Sequence, residues 1–202
     1  MFESVKTKMK KGDESFMYDD SPLSFNMLSF WQWSSSDLLG NALRGKLAEF
    51  IVASSINKLS SLREEWDEYD IITVGGLKIE VKSSSYLQSW QQAKLSKISF
   101  GIQPTGTSQA RGAEKYRKAD IYIFCVLTHK DKPTANPLNL NQWDFYILPT
   151  SALNEQVPEQ QTITLSSLLE LNPTHVKYDK LGIEINKRDN KSVHSTANAT
   201  AD

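Results

Sequence analysis

The run "ADIYIFCVL", residues 119–127, constrains this chain more than any other stretch. Its apolar residues are consecutive rather than alternating, so an extended segment here is apolar on both faces. A strand of that kind belongs in the middle of a sheet. It is far shorter than the roughly 20 residues that a helix needs to cross a bilayer, and no other apolar run approaches that length. With 202 residues, the chain is long enough to bury a real core in one domain.

The other elements are read around that strand. Leu43, Leu47, Phe50, Ile51 and Ser54 recur at helical spacing and predict an amphipathic helix over 42–57. Ser35 or Ser36 before Asp37 suits a helix cap, and Trp31 and Trp33 are expected to pack on the core. "WDEYDIITV" and "LKIEVKSSSY" read as successive strands, with "VGG" as their turn because glycine accepts positive φ. "SWQQAKLSK" reads as a short helix, "ISFGIQ" as a strand and residues 104–118 as a loop with a basic end. "WDFYILPT" reads as a strand ended by Pro149, and "TLSSLLELN" as a late short helix. Residues 1–22 are polar and aperiodic and read as a flexible segment; residues 187–202 are poor in apolar side chains and read as a disordered tail. A single domain over 23–186 remains. The order of elements predicts an α/β (α+β) fold, a central mixed β-sheet flanked by helices.

Charge is informative in its distribution. The chain has 23 basic and 24 acidic residues, a net charge of -1. Residues 76–118 hold eight Lys or Arg against two acids, a surplus of six that leaves the remainder at -7. Lys94, Lys97, Arg111, Lys115, Arg117 and Lys118 make up most of that zone and are the expected contacts to a polyanion such as DNA, with RNA left open. The single cysteine, Cys125, lies in the apolar run, so an internal disulfide is impossible and a reducing cytoplasm is expected. "MFESVKTKMKKGDESF" lacks the apolar centre of a signal peptide, and no membrane partner is expected. His129, His175 and His194 are scattered, and neither a Cys/His zinc pattern nor a Gly-rich phosphate loop is present.

The strand "LKIEVKSSSY" carries the chemistry. Side-chain alternation places Leu77, Ile79 and Val81 on one face and Lys78, Glu80 and Lys82 on the other. An acid two residues before a lysine occurs twice, at Glu80-Val81-Lys82 and at Asp189-Asn190-Lys191. Only the first lies on a predicted strand. Ten residues before Glu80, Asp70 opens the preceding strand, and a hairpin at Gly75-Gly76 brings it back toward Glu80. Asp67 is a competing acid, but it lies in a charged run, whereas Asp70 abuts the apolar "IITV". Two carboxylates converging on an amine are costly unless neutralised, and a hard cation such as Mg²⁺ suits oxygen donors with water in the remaining positions. Glu49 lies at the flank of the predicted helix with Ala42, Lys46 and Ala53, small residues that allow close packing there.

Together, "RGKLAEFIVASSI", "YDIITV", "IEVKSS" and "ADIYIFCVL" resemble, in that order, the PD-(D/E)xK nuclease superfamily with its restriction-endonuclease-like fold. The resemblance covers about residues 42–150, with Tyr69 where the pattern has proline. It implies a Mg²⁺- or Mn²⁺-dependent hydrolase of phosphodiester bonds, most simply a restriction-like DNase. Asp70, Glu80 and the Val81 carbonyl would bind the metal, Lys82 would hold and help deprotonate the attacking water, and Glu49 would assist. Ser83 and Ser84 would hydrogen-bond a phosphate or the sheet, and Gln88 and Gln91 would approach from the following helix. A restriction-type role favours a homodimer, since two strands need two sites. Two other readings stand beside it: a non-catalytic nucleic-acid-binding or structural protein that keeps the fold, and a nuclease subunit of a transposition or repair complex.

Overall fold

The computed structural model describes residues 7–59, 69–108 and 114–198. In chain order its strands and helices are β1 (Ser15–Tyr18), β2 (Ser21–Asn26), α1 (Met27–Ser35), α2 (Asn41–Ser55), β3 (Ile71–Ile72), β4 (Lys78–Ser85), β5 (Ser99–Gly101), β6 (Gly106–Ser108), β7 (Glu114–Tyr116), β8 (Ile121–Leu127), β9 (Trp143–Pro149), α3 (Thr150–Gln156), β10 (Thr162–Thr164), α4 (Leu165–Glu170), β11 (Thr174–Val176) and α5 (Tyr178–Asn198). The main sheet runs β11-β9-β8-β4-β3. β4 and β8 are parallel and every other pair in it is antiparallel, so the sheet is mixed, as expected.

β8 occupies the centre of that sheet, and all seven of its residues are buried. Its alternate residues serve two cores. Ile123 and Cys125 point with Ile79 and Val81 toward α2 and α5. Tyr122, Phe124 and Val126 point to the other side, where a small β5–β10 ribbon, α3 and α4 cover them. Cover on both faces is the physical reason for the uninterrupted apolar run. No helix among the described residues is long and apolar enough to cross a membrane.

Several expectations are corrected. α2 forms near the predicted span, but its buried residues are Arg44, Ala48, Ile51 and Val52, and Phe50 is 55% exposed. The helix is therefore turned by about one position from the Leu43/Leu47/Phe50 stripe. Close packing explains this: Ala48 is fully buried, and a Cβ on Gly182 of α5 would fall 2.0 Å from the Ser55 carbonyl oxygen. Only glycine permits that approach.

The expected disordered tail is instead α5 as far as Asn198. Composition was a poor guide there, because a single stripe is enough. Leu181, Ile185 and Asp189 recur every fourth residue, and all three are buried. Residues 7–22, expected to be flexible, include β1 and the start of β2. Trp33 does not pack on the core: it is 85% exposed, and no residue of α1 is buried. "SWQQAKLSK" forms no helix. Side chains hold that loop instead, with the Gln88 N–H donating to Gln92 Oε1 at 2.6 Å. The expected loop over 104–118 contains the β6–β7 pair.

Candidate active site

A tight hairpin sets the site. Gly76 turns it with φ at +90°, and the Thr73 N–H donates to the Leu77 carbonyl at 3.0 Å. β3 and β4 then pair with Ile71 opposite Ile79. Just before β3, the Asp70 N–H donates to the Ile79 carbonyl, and Asp70 Oδ2 accepts from the Val81 N–H at 2.7 Å. The side chain of Asp70 thus continues the ladder where the backbone of β3 has ended. In a strand the N–H and C=O of one residue lie on the same side, so the Val81 carbonyl faces the same edge as Asp70.

Glu80 and Lys82 stand on the other chemical surface of β4. In the parallel register Glu80 is level with Tyr122, and Lys82 with Phe124. Lys82 Nζ meets Glu80 Oε1 at 2.5 Å, with both side chains partly exposed. The pair opens onto a cleft of about 280 Å³ whose other walls include Tyr122, Gln103, Gln161 and Thr162. The cleft lies between the main sheet and the β5–β10 ribbon.

The electrostatics tie the four charged groups together. Burial, and then the charge of Glu80, push the Asp70 carboxyl up to about 6; Glu49 adds to the rise, while the Val81 N–H and Lys82 oppose it. Glu49, on the half-buried flank of α2, is therefore close enough for its field to reach Asp70. Burial and the same Glu80 charge push Tyr122 up to about 12, so its phenol is neutral at ordinary pH and its O–H is a donor. Glu49 from α2, and Glu80 and Lys82 two residues apart on β4, thus all bear on the Asp70 carboxyl.

The remaining predicted residues divide differently. Ser83 Oγ accepts from Arg44 Nε at 3.2 Å, and Ser84 Oγ accepts from the Ser99 N–H at 3.4 Å, so both hold the scaffold. Gln88 is buried and receives an N–H of Arg44, while Gln91 is exposed on the loop that replaces the predicted helix. Arg117 is corrected from a phosphate contact to a structural residue. It is 6% exposed, and its guanidinium donates to the carbonyls of Ile102, Val157 and Pro158 and to Asn154 Oδ1. Lys94, Lys97 and Lys115 are exposed and Lys118 is half-buried; Arg111 and Asp67 lie outside the described residues.

Sequence reasoning missed Arg44 and Tyr122. Arg44 is buried at the start of α2 and joins that helix to β4 through Ser83 and Gln88; burial lowers its pKa. Its sequence gives no signal beyond a basic residue in a helical pattern. Tyr122 had one: it is the lone polar-tipped residue in an otherwise apolar central strand.

Asp70, Glu80 and the Val81 carbonyl form a small set of hard oxygen donors. Burial first, and the Glu80 charge second, raise the Asp70 carboxyl, and a hard cation such as Mg²⁺ or Mn²⁺ with water in the remaining positions would offset both. Among the described residues no group of three or more His, Cys, Asp or Glu side chains gathers into a fuller cage.

A model of the bacteriophage T4 endonuclease IV family matches residues 19–167, well over half of the chain. The chain belongs to the bacteriophage T4 endonuclease IV family. A comparison with curated proteins finds no match. The T4 endonuclease IV match begins at the tip of the N-terminal ribbon, takes in all four charged groups and the cleft, and ends within α4. Membership of an endonuclease family makes this chain a nuclease whose substrate is nucleic acid.

Proposed function

We propose that the protein is a Mg²⁺- or Mn²⁺-dependent DNase of the PD-(D/E)xK type, with Asp70, Glu80 and Lys82 at its centre and Glu49 in support. The observation that carries this reading is the edge of β4, where Asp70 accepts from the Val81 N–H while Glu80 and Lys82 project one residue to either side. Asp70, Glu80 and the Val81 carbonyl would hold the metal, which would supply an acidified water and offset charge growing on phosphorus. Lys82 Nζ holds the attacking water and helps to take its proton. Glu49 biases the same field from α2. The neutral donors and acceptors of Tyr122, Gln103 and Gln161 suit the uncharged part of the nucleotide beside the scissile phosphate. Lys94, Lys97, Lys115 and Lys118 engage phosphates farther along the strand.

The test is a panel of linear, nicked, branched and single-stranded DNA with Mg²⁺ or Mn²⁺, run on wild type and Lys82→Ala in parallel. The expected result is metal-dependent cleavage by wild type and its loss, by a thousandfold or so, in Lys82→Ala, with folding and DNA binding kept. Glu49→Ala should lose less activity than Asp70→Ala. Equal cutting by wild type and Lys82→Ala would remove this site from the reaction.

A further inference from the structure

The N-terminal segment carries an apolar surface that nothing among the described residues covers. β1 and β2 form an isolated two-stranded ribbon, bound to neither the main sheet nor the β5–β10 ribbon. Phe16, Tyr18, Leu23 and Phe25 share one face of it and are 41%, 75%, 38% and 47% exposed. Phe16 and Phe25 touch across the strands, with ring centroids 5.1 Å apart, and find no deeper core. α1 follows directly, with Phe30 at 42% and Trp33 at 85%.

Such a surface needs a cover. A lone two-stranded hairpin is at best marginally stable in water. At roughly 150–250 Å² per aromatic side chain, the exposed parts of these residues and their aliphatic neighbours amount to roughly 800 Å². That exceeds the few hundred Å² of the largest apolar patch on an ordinary monomer. It matches the roughly 800 Å² that each partner of a stable complex buries. Charge narrows the partner. Across residues 6–36, Lys6, Lys8, Lys10 and Lys11 balance Asp13, Glu14, Asp19 and Asp20, so the segment has no net charge to hold a polyanion or an anionic membrane, and a second copy can set its lysines against these acids. A second ribbon can pack face to face on the first across a two-fold axis, burying both apolar faces in a self-complementary contact.

We infer that residues 15–33 are the dimerisation surface of this protein and that the occupant is the same segment of a second copy. The inference does not depend on the nuclease reading. The full chain is measured by sedimentation equilibrium at micromolar concentration, beside Tyr18→Lys, Trp33→Lys and, as a control elsewhere, Leu169→Lys. All three positions are exposed, so the substitutions leave the monomer fold intact, which circular dichroism checks. The expected result is a dimer for wild type and Leu169→Lys, and the mass of one chain for Tyr18→Lys and Trp33→Lys. A monomeric wild type overturns the inference. So does a dimer that survives both arm substitutions, a dimer that Leu169→Lys also breaks, or a mass that climbs past two chains without closing.

Discussion

At the scale of single residues, Asp70 illustrates how a site can oppose the fold that holds it. Its carboxyl titrates near 6 when folded, against an ordinary value of 3.8. Between those values the folded chain binds more protons than the unfolded chain, so stability is greatest below the ordinary value, falls as pH rises toward 6 and is level above it. Without metal, Asp70→Asn should therefore be more stable than wild type above pH ~6, by about 3 kcal/mol, with the difference closing below pH ~4. Urea unfolding in the presence of a chelator measures this; a variant less stable than wild type at pH ~8 would mean that the charged acceptor of the Val81 N–H outweighs burial. At this scale much was legible in the sequence. The two-residue period of the strand put Glu80 and Lys82 on one face, and the glycine turn brought Asp70 to them. Arg117 was not legible, because a buried arginine wrapped in carbonyls and a surface arginine awaiting phosphate are the same letter.

At the scale of elements, the hairpin is fastened from far away. Asp189 of α5 accepts from Thr73 Oγ1 at 2.6 Å and from the Gly75 N–H at 3.0 Å. Gly75 has to be glycine for this, since a Cβ there would fall 2.4 Å from Asp189 Oδ1. Asp189→Ala leaves two donors unsatisfied and should cost about 1–3 kcal/mol. Thermal or urea unfolding reads that loss; a change within error would show that water replaces the carboxylate. In the sequence Asp189 reads as part of a polar tail. Its helix was hidden because one apolar stripe of every fourth residue barely raises the average hydrophobicity of the segment. The loop at 89–97 misled in the opposite way: a composition that suits a helix is overruled by Gln92, whose side chain accepts from the Gln88 N–H and donates to the carbonyls of Tyr86 and Lys94.

At the scale of the whole molecule, the near-neutral total conceals the basic stretch over residues 76–118. If Lys94, Lys97 and Lys115 engage phosphates, DNA affinity should fall steeply as salt rises, and replacing all three with Gln should flatten that dependence by about three counterions. Filter binding of Lys82→Ala at several salt concentrations measures this without cleavage; an unchanged slope would return the three lysines to ordinary surface. Arg117→Gln should behave differently, lowering stability rather than the slope, since its Nε and both Nη nitrogens already donate to the fold.

The tether between Asp189 and the hairpin also orders events during synthesis. The hairpin leaves the ribosome more than a hundred residues before the helix that pins it. At about 5–20 residues per second, the nascent chain spends on the order of ten seconds with Thr73 and Gly75 unanchored. A growing polypeptide thus carries the turn that follows Asp70 without its carboxylate anchor until α5 is made.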